Sequence, residues 1–309
     1  SSLKNIGEHA FALCSGLKSY KMIGDGNNTG DKRFAVTDGM LYSYDKINTT
    51  LIAYPPKKED KQYTIPHGYT IIGSSAFREC NNLAYISIPP QVNSIEEHAF
   101  YGCENLSEIS GLEWCPITIL RDATFSGCKK LTSIQLPNTI KEIGDNVFEN
   151  CSSLKGNLII PNDVKSIGTG AFRGCTGFDG ELKLSDNLQT IGEYAFMGCS
   201  NLDGNLVIPD AVENIGYMAF KGCTKILEGN ELRLGKGLKQ IGDRAFDVGS
   251  DDNASVPSSF CKIYCSTTVP PIINYSDLNC EQLIVPKGCL EAYQNSNWNN
   301  VSGNIIEGD

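Results

Sequence analysis

The sequence has little histidine and no excess of positive charge. Three histidines occur in 309 residues, and 36 acidic residues outnumber 26 lysines and arginines, for a net charge of −10. Nucleic acid and anionic membrane surfaces repel a negatively charged protein, so we expect neither as a partner. No apolar run reaches the roughly 18 residues of a membrane span, so we expect no span in this chain.

Motifs for catalysis are also missing. His9 and His98 occupy the same position of a repeat, directly before Ala-Phe, and His67 follows the proline that ends a strand. A serine or cysteine nucleophile needs a neighbouring base, and the sequence positions no histidine for that role. A phosphate-binding loop with its lysine is absent. We therefore predict a non-enzymatic protein without a cofactor.

What the sequence does contain is a repeat built on phenylalanine and cysteine. From Phe77 to Phe246, the pattern Ile-Gly-x-x-Ala-Phe recurs every 23 to 26 residues. Cysteine follows three residues later, and an apolar residue three residues after that. The repeat cysteines are Cys14, Cys80, Cys103, Cys128, Cys151, Cys175, Cys199 and Cys223. A period of this length is typical of solenoids, in which each coil buries its apolar face against the next.

Each repeat predicts one short strand and one return segment. In Leu131-Thr-Ser-Ile134-Gln-Leu136, the last two apolar residues are two apart, which places them on one side of a strand. The return segment, Ile-Gly-x-x-Ala-Phe-x-x-Cys, brings the chain back on the far side. The predicted strands are 84–88, 107–110, 132–136, 157–160, 181–184, 205–208 and 231–234. A second short strand is predicted at 92–95, 164–167 and 212–215.

This repeat resembles the BspA-like leucine-rich-repeat family of bacterial cell-surface proteins. Besides the Phe-x-x-Cys units, the resemblance rests on Ile-Pro strand ends at Ile65-Pro66, Ile88-Pro89, Ile160-Pro161 and Ile208-Pro209. It implies a right-handed coil with a parallel β-sheet on one face, and turns and short helical segments on the other. It also implies a secreted or cell-surface protein, and since the chain begins within a repeat, we expect an upstream signal or anchor.

Two stretches look like further parts of that family. Residues 34–54 look like its hairpin insertion, with Asp38-Gly39 as a two-residue turn. Near the end, Leu290, Ala292, Tyr293 and Trp298 are predicted to form a short helix that closes the core, because solenoid ends need covering. We predict a solenoid over 1–260, with the insertion at about 30–58, and a terminal repeat with a cap over 261–309.

The thirteen cysteines do not predict a disulfide framework. Equivalent positions on successive strands are about 4.8 Å apart with parallel side chains, whereas a disulfide or a zinc site needs convergent ones. We interpret the eight repeat cysteines as small buried hydrophobic residues. Cys115, Cys261, Cys265, Cys280 and Cys289 lie off the repeat, and a Cys261–Cys280 bridge stays open beside free thiols.

One stretch is a candidate for calcium. Asp25, Asn27, Thr29 and Asp31 place oxygen side chains at every second position, as calcium loops begin. The later bidentate glutamate is missing, because Val36 stands there. A polar turn is the competing interpretation, and we predict no metal site.

The outward residues of the predicted strands are the candidate binding surface. They are small and polar for the most part, and the candidates are Tyr85, Ser87, Glu108, Ser133, Gln135, Asn157, Glu181, Lys183, Glu231 and Arg233. The resemblance implies adhesion to a protein, with host matrix proteins among the ligands, by a monomeric chain. The alternative is a surface protein that captures glycans or nutrients, which needs aromatic platforms or calcium on this face.

Overall fold

The computed structural model describes residues 6–7, 9–11, 14, 16–21, 33–249, 256–273, 278–302 and 304–308. Over these residues the fold is a parallel-strand β-solenoid of about 11 turns with few helices. The chain divides into two compact units. Unit 1 comprises Ser1–Ile140 and Val147–Ser153, and unit 2 comprises Lys141–Asn146 and Leu154–Asp309.

Unit 1 contains the hairpin insertion and two parallel ladders. Its described elements are β1 (Arg33–Thr37), β2 (Met40–Tyr44), β3 (Thr49–Ala53), β4 (Gln62–Thr64), β5 (Ile71–Ile72), β6 (Tyr85–Ser87), β7 (Ser94–Ile95), β8 (Glu108–Ser110), the 3₁₀ turn η1 (Leu112–Trp114) and β9 (Ile119–Leu120). Strands β4, β6 and β8 form one parallel sheet, the front ladder, and β3, β5 and β7 pair in parallel in the second ladder.

The predicted hairpin is confirmed. Strands β1 and β2 pair antiparallel, and β2 pairs antiparallel with β3. At the turn, Asp38 and Gly39 have φ angles of 50° and 78°. Two consecutive positive φ values define the type I′ turn, whose twist matches that of the flanking strands.

Unit 2 repeats both ladders. Its described elements are β10 (Glu142–Ile143), β11 (Leu158–Ile159), β12 (Ser166–Ile167), β13 (Leu182–Lys183), β14 (Thr190–Ile191), β15 (Leu206–Ile208), β16 (Asn214–Ile215), α1 (Thr224–Leu227), β17 (Glu231–Leu234), β18 (Gln240–Ile241), β19 (Phe260–Cys265), β20 (Ile272–Ile273), β21 (Cys280–Pro286), α2 (Leu290–Gln294), the 3₁₀ helix η2 (Asn297–Asn300) and β22 (Ile305–Gly308). The front ladder runs as β11-β13 and β15-β17-β19-β21-β22, and the even strands β10 to β20 form the second ladder.

One predicted strand is wrong. Residues 132–136, all of which the structure describes, form no strand. The amide of Thr132 still donates to the carbonyl of Ser107 in the preceding coil. That coil then turns away at Gly111, which has a φ of 84° and leads into η1. Beyond Thr132 the segment forms no ladder with β8, which pairs with β6 at the edge of its described sheet.

Stacked phenylalanines form the core between the ladders. In unit 1, the ring centroids of Phe77 and Phe100 are 5.0 Å apart, with the planes 9° from parallel. In unit 2, Phe196 lies 5.4 Å from Phe172 and 5.2 Å from Phe220. All five rings are fully buried. Offset stacks of this spacing contribute beyond the area that they bury.

The repeat cysteines do more than fill space. The Cys103 thiol donates to the carbonyl of Phe77 at 2.9 Å, and the Cys199 thiol donates to that of Phe172 at 3.1 Å. Cys128, Cys151 and Cys223 make the same contact with the phenylalanine of the preceding coil. Among the described residues no disulfide joins the cysteines, and Cys261 and Cys280 are not bridged to each other. The five repeat thiols thus add a second donor to a buried carbonyl that already accepts the amide of the cysteine of its own coil, as the Phe77 carbonyl does from Cys80.

The return segments are turns rather than helices. The residue before Ala-Phe has a positive φ throughout, for example 58° at His98, 56° at Tyr194 and 52° at Met218. A left-handed residue costs about 1–2 kcal/mol when it is not glycine. Coil-to-coil bonds, such as that from the amide of Phe196 to the carbonyl of Ala219 at 2.8 Å, hold the segment in place.

The C-terminal cap is confirmed in part. Leu290, Ala292 and Tyr293 lie in α2, but Trp298 lies in the 3₁₀ helix η2. Tyr293 and Trp298 are fully buried, and the Trp298 indole N–H donates to the carbonyl of Pro271 at 2.8 Å. Ala292, in contrast, is exposed, because it lies on the outer side of this short helix. Two aromatic side chains, and not four residues, close the core.

Candidate functional site: the outward face of the front ladder

The structure distributes the predicted binding residues over both units. Tyr85, Ser87 and Glu108 lie on the outward face of β6 and β8 in unit 1, where Ser87 pairs with Ser110. Ser133 and Gln135 are exposed in the segment that forms no strand. The remaining five, in unit 2, are Asn157, Glu181, Lys183, Glu231 and Arg233.

Two of these residues serve the fold. The Tyr85 hydroxyl is hydrogen-bonded to Ser110 Oγ at 2.7 Å, so the ring is half-buried along the sheet. Asn157 Oδ1 accepts the amide of Glu181 at 2.9 Å, and Asn205 does the same for Glu231. An asparagine that bridges coils at this position sets the register of the next strand. Asn157 and Tyr85 are therefore structural as well as accessible.

Glu231 and Arg233 meet a residue that the sequence analysis did not single out. The Arg233 guanidinium lies over the Tyr264 ring, 4.1 Å from its centroid, and its Nη2 donates to Glu231 Oε2 at 2.9 Å. The Tyr264 hydroxyl donates to Glu231 Oε1 at 3.4 Å. These three residues, the Arg233 cluster, hold the arginine in one orientation while half of its side chain stays exposed.

Apolar side chains continue the line of this cluster. The parallel register pairs Val207 with Arg233, Arg233 with Tyr264, Tyr264 with Ile284, and Ile284 with Ile306. Val207 is 49% exposed and Ile306 is 39% exposed. We call these five residues the outward column. Five neighbouring strands thus present an apolar stripe with an arginine and a tyrosine in its middle.

The sequence held a signal for the second half of the column. Lys262-Ile263-Tyr264-Cys265 alternates polar or amphipathic residues with apolar ones, which is the pattern of a strand with one buried face. Leu283, Ile284 and Val285 are all apolar and do not show that alternation. The repeat itself breaks down after Phe246, where Gly249 replaces the cysteine. Without the repeat cysteine, the sequence does not predict that Tyr264, Ile284 and Ile306 align with Arg233.

A second exposed aromatic residue lies in unit 1. Trp114 is 73% exposed, although it sits between Leu112 and Cys115, which are buried. The Cys115 thiol donates to the carbonyl of Gly111 at 3.4 Å, and the Trp114 amide donates to the same carbonyl at 3.2 Å. A Cβ on Gly111 would lie 2.1 Å from the carbonyl oxygen of Ile88. A tight, anchored turn thus displays the indole to solvent.

The histidines need one correction. The sequence analysis placed no histidine beside a nucleophile, but His9 Nδ1 lies 2.8 Å from Ser75 Oγ, at the edge of a cavity of about 360 Å³ in unit 1. Repeat stacking brings them together, because His9, Ser75 and His98 occupy equivalent left-handed positions. The same position holds Tyr194 and Met218 elsewhere, so the contact follows from the coil geometry and identifies no reaction.

Metal sites gain no support here. The calcium candidates Asp25, Asn27, Thr29 and Asp31 lie outside the described residues. Across the part of the chain that the structure describes, no group of three or more histidine, cysteine, aspartate or glutamate side chains is arranged to hold a metal ion. No helix in that part has the length and apolar character that crossing a bilayer requires.

The fold and the stacked coils define a leucine-rich-repeat solenoid. A family model described as the BspA type leucine rich repeat region matches residues 1–50, 57–179 and 180–268, in six copies. These matches cover most of the sequence, so the chain belongs to the BspA-type leucine-rich-repeat family.

Two solved structures are similar to this chain, and the first of them supports the fold. A leucine-rich cell surface protein from Faecalibacterium prausnitzii A2-165 is 19% identical and has a TM-score of 0.58, with 89% of this chain and 95% of that chain covered. A leucine-rich repeat protein from T. pallidum is 26% identical over 60% of this chain and 83% of its own, with a TM-score of 0.49. No curated protein matches the chain.

Proposed function

We propose that this protein is a non-catalytic, cell-surface binding protein that recognises a protein partner through the outward column. One observation carries the proposal: five adjacent strands align Val207, Arg233, Tyr264, Ile284 and Ile306 on a solvent-facing surface. Arginine and aromatic residues are enriched at protein interfaces, and those that dominate binding lie at the centre of a patch. Family membership suggests binding or adhesion, and the F. prausnitzii neighbour is described as a cell surface protein.

The Arg233 side chain is already oriented for binding. An arginine held by Glu231 and Tyr264 has already lost much of its side-chain freedom, so binding costs less ordering entropy there. Val207 and Ile306 provide apolar area on either side of it. We propose that the chain acts as a monomer and that proteins of the host extracellular matrix are among its partners.

Surface plasmon resonance against a panel of immobilised matrix proteins tests this function. We expect saturable binding that weakens at least about tenfold in the double variant Arg233→Ala, Tyr264→Ala, as for residues at an interface centre. The matched control is Lys239→Ala, which removes an exposed cation of unit 2 that pairs with Glu213, outside the front ladder. Equal binding by both variants, or no saturable binding to any protein of the panel, contradicts the proposal.

One observation favours glycan capture as a second candidate. Sugars stack on exposed aromatic rings, and Trp114 is 73% exposed on a rigid turn. Binding on a glycan array that is lost in Trp114→Ala and kept in the Arg233, Tyr264 double variant would support it. An array without signal rejects it.

A further inference from the structure

We infer that the partner presents an amphipathic α-helix, laid along the outward column, with an acidic residue opposite Arg233. The inference rests on the proposed function and specifies the partner's chemistry. The side chains of the outward column are regularly spaced. Neighbouring strands are about 4.8 Å apart, so the five side chains from Val207 to Ile306 repeat at that interval over about 19 Å.

An α-helix matches this repeat. It rises 1.5 Å per residue, so that side chains three or four positions apart advance about 4.5–6 Å along one face. A helix of about 13 residues therefore spans the column and meets one strand per turn. An extended peptide places side chains of one face about 6.6 Å apart. It falls out of step with the column within two strands.

The neighbouring column supports the same geometry. Glu231, Lys262 and Gln282 are aligned beside the outward column, two residues before it in each strand and on the same face. An apolar stripe bordered by a polar row is the complement of an amphipathic helix, whose apolar face is flanked by polar residues. A helix that is apolar all round would leave this polar row unpaired.

The charge at the centre selects an acidic residue. The chain has a net charge of −10. The eight residues named in the two columns nevertheless include two cations, Arg233 and Lys262, and one carboxylate, Glu231. Arginine carries five N–H donors, and Glu231 takes one of them through Nη2. The remaining N–H groups can therefore donate to a second carboxylate without releasing Glu231. Val207 lies one strand to one side of Arg233, and Ile284 lies two strands to the other side, beyond Tyr264.

Two display libraries test the inference on the full chain: one of single helices on a stable scaffold, and one of unstructured peptides of equal length. We expect enrichment from the helical library, with an acidic residue between apolar positions one and two turns away. Enriched clones should bind Arg233→Glu at least about tenfold more weakly, and Lys239→Glu unchanged. Replacing the clone's acidic residue by lysine should restore binding to Arg233→Glu.

Enrichment from the unstructured library at this site overturns the inference, as do helical clones indifferent to Arg233→Glu or a helical library that fails to enrich. The outcomes remain separable from the proposed function. If matrix binding depends on Arg233 and Tyr264 but no helical clone is selected, the function stands and the helical partner is rejected.

Discussion

The return side of the coils and the front ladder obey different rules. On the return side, phenylalanine and cysteine recur in each coil because they contact the neighbouring coil: Phe196 stacks on Phe220, and the Cys223 thiol donates to the Phe196 carbonyl. On the front, the inward residues are buried, whereas the outward positions vary from Ser87 to Arg233 and Tyr264, and only some of them, such as Asn157, bond the next coil. Stacking therefore fixes one side of the solenoid and leaves the other free to acquire a binding surface.

Removing one ring of the phenylalanine stack should cause the largest difference in stability between the two sides. Phe196→Ala deletes a buried ring that contacts Phe172 and Phe220, and buried phenylalanine truncations cost about 3–5 kcal/mol. Val207→Ala, on the front of the same unit, should cost less than about 0.5 kcal/mol, as exposed positions do. Urea unfolding followed by circular dichroism measures both, and similar losses would show that the two sides are equally constrained.

Gly111, on the front side, is a position where close packing also constrains the residue. Gly111→Ala places a Cβ 2.1 Å from the carbonyl oxygen of Ile88, so overpacking should add about 1–3 kcal/mol to the left-handed cost of about 1–2 kcal/mol. Gly156→Ala has a similar φ and nothing within 4 Å, so it should show only the left-handed cost. Thermal unfolding of the two variants gives the difference, and equal melting temperatures would refute the steric account.

The smallest expected effect concerns pH on the return side. Burial lowers the pKa of His98, and His9 and Arg78 lower it further, while Glu97 and Asp122 oppose them. Because the folded pKa lies below the unfolded value of about 6.5, the unfolded state binds more protons in acid. The stability due to neutral His98 is therefore present above that pH and is lost below it.

We expect His98→Gln to flatten the fall in stability between pH 7.5 and pH 5. Denaturant unfolding at a series of pH values measures the slope. His67→Gln, at an exposed loop position, is the matched control and should leave the slope unchanged. A wild-type slope that persists in His98→Gln would assign the acid sensitivity to another group.

The sequence was sufficient where stacking dictates residues. Phe77 and Cys103 could be placed because their spacing repeats, and the Asp38-Gly39 turn because few residue pairs adopt its backbone. The structure of residues 133–136 and the exposure of Trp114 could not be predicted from the sequence, since η1 changes the spacing of the repeat in one coil. Tyr264 was missed for a similar reason: beyond Phe246 the repeat loses its cysteine, and only the pairing of β17 with β19 restores the register.

The buried thiols can report local unfolding of the coils. Burial raises the pKa of Cys103 to about 12 and that of Cys115 to about 11, and the thiolate, not the thiol, is the nucleophile that attacks an alkylating reagent. A closed coil is thus inert, whereas an opened one exposes a cysteine with an ordinary pKa. One repeat cysteine falls in each coil from Cys80 to Cys223, and Cys115 is a second thiol between Cys103 and Cys128. Peptide mapping after pulse alkylation can therefore rank the coils by how often they open.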